Sequence, residues 1–105
     1  MSAAMVYVTV KNRKEAQQLG TWAVRERLAA EANILDGMRS LRWQQGGEVE
    51  QNDEAVLILM TKERLVEELT LQITRNHSHD LPGVVVSPVV GGNPAYLSFI
   101  EQETK

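Results

Sequence analysis

The chain predicts an α+β fold: a ferredoxin-like βαββαβ sandwich with an antiparallel sheet and a short C-terminal helix. Three observations carry this prediction. A valine run alternates at the N-terminus, two stretches of helical apolar spacing are each flanked by strand-like sequence, and the last stretch opens on Asn93-Pro94. The order is β-α-β, β-α-β, then a helix, and right-handed crossovers make the split βαβ arrangement, with both long helices on one face, the simplest closure.

Met5 to Val10 places Val6, Val8 and Val10 on one side and Tyr7 and Thr9 on the other, the period of a half-buried strand. Asn12 to Glu15 is a polar entry to a helix read to about Ala30, with Ala16, Leu19, Gly20, Ala23 and Ala30 near its inner face and Val24 and Leu28 widening it on one side. Trp22 lies off that stripe and is expected to need cover from another element or subunit. Asn33 to Trp43 reads as a strand weakly interrupted at Asp36-Gly37, and Gln44 to Asp53 as a turn or an extended hairpin tip. Ala55 to Met60 is continuously apolar, as suits a strand covered on both faces. Thr61 is the expected cap of a helix from Lys62 to about Asn76 with Leu65, Val66, Leu69 and Ile73 inward. Leu81-Pro82-Gly83 breaks the chain before the fourth strand, Val84 to Val86. Asn93 is the expected N-cap and Pro94 the first residue of the last helix. Tyr96, Leu97, Phe99 and Ile100 form its docking side.

The 105 residues predict one domain, 1–105. Hydrophobic residues are 43% and charged residues 24%, which argues for a globular chain rather than a disordered one. A net charge of −3 without a basic stripe gives no reason to expect nucleic acid. The absence of cysteine excludes disulfides, thiolate metal sites and thiol nucleophiles. No apolar run approaches the roughly 20 residues that span a bilayer, and Met1 to Met5 lacks the features of a signal peptide. The expectation is therefore a cytoplasmic protein with no membrane partner. No nucleophile elbow, HExxH or serine-histidine-acid set is present, so no enzyme is expected. Gly91-Gly92 lacks the lysine of a phosphate loop.

His77, His79 and Asp80 are the only metal-like cluster, since imidazole and carboxylate suit borderline cations. Two histidines do not complete a coordination sphere, and His77 alternatively sits at a helix C-terminus, where its partial positive charge is favoured. Glu48, Glu50, Asp53 and Glu54 read first as a solvated charged loop. Trp43 and Tyr96 are the aromatic candidates for lining a pocket, with interface or core packing as the alternative.

Several segments together resemble the CutA divalent-cation-tolerance family. Leu28-Ala29-Ala30 followed by Ala32-Asn33-Ile34 is similar to the family's Leu-Ala-Ala-Cys-x-Asn-Ile. Ser40, Trp43, Gly47 and Glu54 match a serine, an aromatic cluster, a glycine and a glutamate around the central hairpin. His77 to Pro82 fits the frame of His-Pro-Tyr-x-x-Pro, and Pro88, Gly92, Tyr96, Leu97 and Ile100 resemble the C-terminal signature, with Phe99 where a tryptophan is usual. The chain departs from the family at Glu31 for a cysteine, Met60 for a lysine, and Ser78 and His79 for a proline and a tyrosine. The resemblance implies a non-enzymatic homotrimer concerned with divalent cations, copper above all. A metal ion or small molecule would bind in intersubunit clefts drawn from Trp43, Glu54, Thr61 and Tyr96, with His77 or His79 as metal ligands. The alternative is a PII-like small-molecule-sensing trimer, which a long loop with a modifiable tyrosine after the second strand would favour. Gln44 to Asp53 is short and has no tyrosine.

Overall fold

A computed structural model describes residues 2–105. Its elements are β1 (Ala3–Val10), α1 (Arg13–Arg25), β2 (Glu31–Gln44), β3 (Glu48–Lys62), α2 (Val66–Asn76), β4 (Gly83–Pro88) and α3 (Pro94–Glu103). The sheet order is β2-β3-β1-β4 with every neighbouring pair antiparallel, which is the ferredoxin-like order. Alternation decides what each face carries. Val6, Val8 and Val10 pair with Leu59, Leu57 and Ala55, and all are buried beneath α1 and α2, which contribute Ala16, Leu19, Ala23, Leu69 and Ile73. Met5, Tyr7 and Val85 lie on the opposite, open face, and Val85 is 61% exposed. α3 covers one end of that face, setting Ile100 against Ala3 and Ala30, with Met60, Tyr96 and Leu97 around it.

α1 begins where the polar entry predicts. The Asn12 side chain accepts from the Glu15 amide at 2.9 Å, and the Glu15 carboxylate accepts from the Lys11 amide at 2.9 Å. The helix stops five residues earlier than predicted. Arg27, at φ 59°, takes the left-handed conformation, so the amides of Arg27 and Leu28 close onto the carbonyls of Val24 and Ala23 at 3.0 Å each. That is a Schellman stop built without glycine, hence without its usual sequence mark. Trp22 finds partial cover within its own chain, packed against the main core.

The largest difference is in the central hairpin. Strand pairing continues to Gln44↔Glu48, and only Gln45 to Gly47 turn, so most of Gln44 to Asp53 is strand rather than turn. An extra residue at Asp36-Gly37 bulges β2 between Leu35 and Met38, with Gly37 at φ 76°. Beyond the bulge, residues 38–54 form an arm that draws the molecule out to 47 × 25 × 23 Å.

Two predicted caps are corrected. Thr61 lies inside β3, fully buried, and its hydroxyl donates to the Leu28 carbonyl at 2.6 Å, so it caps nothing; α2 is entered through a 3-10 turn, Glu63–Leu65. Asn93 occupies the N-cap position of α3, but its side chain makes no capping bond. Asn12→Ala should therefore cost about 1 kcal/mol, and Asn93→Ala only a few tenths. Urea midpoints of the two variants check this, and equal losses would contradict it.

Candidate functional site

The residues singled out by sequence fall into separate places within one chain. Glu54 lies in β3 opposite Met38, at the root of the arm, and His77 and His79 follow α2 at the same end. Thr61 lies seven residues along β3, roughly 23 Å away at strand rise, with its hydroxyl held by the Leu28 carbonyl, whereas Tyr96 of α3 packs in the cluster with Ile100, Ala3 and Ala30. Trp43 pairs with Val49 near the arm tip and is 72% exposed.

At the first end, Glu15 ties α1 to the segment after α2. Besides Lys11, its carboxylate accepts from the Ser78 amide at 2.8 Å and the Ser78 hydroxyl at 3.0 Å. Burial alone would raise its pKa. The donors from Lys11 and Ser78 outweigh that and hold it below 4.5. His77 is fully engaged. Its Nδ1 accepts from the His79 amide at 3.0 Å, which leaves Nε2 to donate to the Thr9 carbonyl at 2.6 Å. A metal on either nitrogen of His77 would displace the hydrogen bond made there.

His79 is different. Its Nε2 lies 3.6 Å from Glu54 Oε2, and the Glu54 side chain is 5% exposed. Glu54 Oε1 and His79 Nδ1 are buried without hydrogen-bond partners. Among the described residues, no group of three or more His, Asp or Glu side chains is disposed to hold a metal ion.

At the second end, the Tyr96 hydroxyl donates to Glu31 Oε1, and the Tyr96 ring stacks on Phe99 at 5.8 Å. Burial and then the Glu31 carboxylate push the Tyr96 pKa up to about 12. Unfolded tyrosine loses its proton nearer 10, so the unfolded chain gains as pH rises between those values. Stability should fall from pH 10 towards 12, and less steeply in Tyr96→Phe. Equal slopes in pH-dependent thermal melts would contradict that. Sequence reading identified Tyr96 but not its partner, because Glu31 stood out only as a missing cysteine.

An α+β ferredoxin-like sheet with an extended hairpin arm, and with its chemistry divided between the two sheet ends, defines the structural class. The chain belongs to the family described as CutA1 divalent ion tolerance protein, whose model matches residues 4–103. It is 38% identical to the chloroplastic protein CutA of Arabidopsis thaliana over 96% of this chain and 55% of that protein. It is 33% identical to the divalent-cation tolerance protein CutA of Thermus thermophilus over 95% of this chain and 96% of that one. The chain thus spans just over half the length of the plant relative. The crystal structure of CutA1 from Oryza sativa superposes with a TM-score of 0.95 at 36% identity, covering 100% of this chain and 95% of that one.

Proposed function

We propose that this protein is a non-enzymatic homotrimer that binds a divalent cation, copper in particular, or a small ligand in clefts between subunits, in divalent-cation tolerance or response. The observation that carries the proposal is unpartnered apolar surface. Leu41, Trp43 and Val49 are exposed along the arm, and Met5, Tyr7, Leu35 and Val85 on the sheet beside it. A sheet edge and face of this kind invite pairing with another chain. The arm draws the chain out to 47 Å, which is long enough to lie across a neighbour. The number three follows the family resemblance. The Thermus relative's name, divalent-cation tolerance protein, supports the cation.

The three-residue turn Gln45 to Gly47 weighs against the PII-like alternative, which calls for a long loop there. A native mass spectrum with Cu²⁺, Zn²⁺ and ATP offered in turn distinguishes the readings. A trimer that takes up metal and ignores ATP is expected. A trimer that takes up ATP alone would replace this reading with the PII-like one.

A further inference from the structure

We propose that the outward face of α1 around Trp22 is a docking surface for an acidic, extended segment of another protein. Lys14, Gln17, Gln18, Thr21, Trp22 and Arg25 recur at the three- and four-residue spacing that sets side chains along one stripe of a helix. All but Trp22 are exposed, and Trp22 is half-buried, packed against the main core. Trp22 lines two shallow concavities. One, of about 330 Å³, it shares with Gln18, Leu19 and Asn76; the other, of about 390 Å³, with Lys14, Gln17, Thr21 and Arg25. A tryptophan fixed from below and flanked by hollows is the kind of anchor on which binding energy concentrates.

Charge selects the occupant. The chain carries −3 overall, yet this face is basic. Arg13 and Lys14 stand at one end of the stripe and Arg25 at the other, and all three are exposed. The ion pairs among the described residues join Arg27, Arg39, His79 and Lys105 to their acids and leave these three cations free. Glu15, the one carboxylate within α1, is buried and engaged by Lys11 and Ser78. Glu26, at the C-cap, lines neither concavity. Lys14 and Arg25 lie roughly 16 Å apart along the helix axis, a distance that an extended chain covers in about five residues. Between them Gln17, Gln18 and Thr21 offer amide and hydroxyl groups to a peptide backbone. A nucleic acid would call for basic charge along the whole stripe, whereas its middle is neutral. The trimer proposed above uses the open sheet face and the arm. α1 lies across the sheet from that face and stays available to a partner.

The test is a titration of the full chain with two synthetic peptides, read by calorimetry and by backbone amide resonances. One carries glutamate pairs about five residues apart, and the other carries lysine in their place. The acidic peptide should bind saturably, shift the resonances of residues 14–25, leave those of the arm unmoved, and lose affinity as salt rises. Lys14→Glu and Arg25→Glu should each weaken it about tenfold. Both positions are exposed, so the variants should fold, and the wild-type resonances locate the site with no substitution at all. Equal binding of the two peptides, binding that survives both charge reversals, shifts confined to other elements, or no saturable binding at millimolar peptide would each overturn the surface. Anionic vesicles that bind through Lys14 and Arg25 where the acidic peptide does not would overturn it in favour of a membrane. None of these outcomes bears on the cation reading, which stands or falls by its own experiment.

Discussion

Replacing Leu57 by alanine is expected to destabilise the fold by about 2–5 kcal/mol, the range for emptying a leucine site in a packed core. Leu57 is fully buried in β3, between Val8 of β1 and Ile34 of β2. It also sits where α1 comes closest to the sheet. A Cβ built on Gly20 would lie 3.1 Å from both Leu57 Cδ1 and Ala32 Cβ, so the glycine is what lets the helix approach. The gap left by alanine cannot close without moving α1 as a whole. Against a total stability of about 5–15 kcal/mol for an ordinary domain, the loss is large. Urea denaturation at one fixed protein concentration measures it, since assembly adds a concentration-dependent contribution. A loss below about 1 kcal/mol would mean that the α1–β3 contact is not part of the core.

Glu15→Ala should cost about 2–3 kcal/mol, because it strands donors from Lys11 and Ser78 in a part-buried setting. The effect should also depend on pH with a definite sign. Glu15's folded pKa lies below 4.5, so its contribution is present above that value and is lost as pH falls through the folded pKa. Wild type and variant should therefore differ most near neutrality and converge in acid. A gap between their unfolding midpoints that stayed constant from pH 7 to pH 3 would remove Glu15 from this role.

The elements most legible in sequence were those with one buried face. β1 and α2 declare themselves by period because one side of each meets the core and the other meets water or an open face. The arm does not. Leu41, Trp43 and Val49 are exposed in the single chain, so residues 44–53 carry no in-out alternation against their own core and read as polar turn. Local chemistry misled at Thr61 and Asn93, where a cap residue stands at a helix entry but its side chain makes no capping bond. The end of α1 was missed for the converse reason, since Arg27 takes the conformation that glycine usually marks.

The candidate site was legible by residue type and not by grouping. His77 and His79 look equivalent on paper, yet one backbone amide and one carbonyl engage His77 and leave His79 beside Glu54. That pairing joins residues 25 positions apart, and only the sheet register and the turn after α2 bring them together. Sequence had given Glu54 weight through the family resemblance alone; its burial and unpartnered oxygen are new.

In the proposed trimer the open sheet face and the arm are surfaces between subunits. Sedimentation velocity at micromolar concentration tests this most directly, on the wild type and on a Tyr7→Arg/Val85→Arg variant that places charge on the open face. The wild type should sediment with three times the 11.8 kDa mass of one chain, and the variant should dissociate or shift towards monomer. A wild type that sediments as a folded 11.8 kDa monomer would contradict the account.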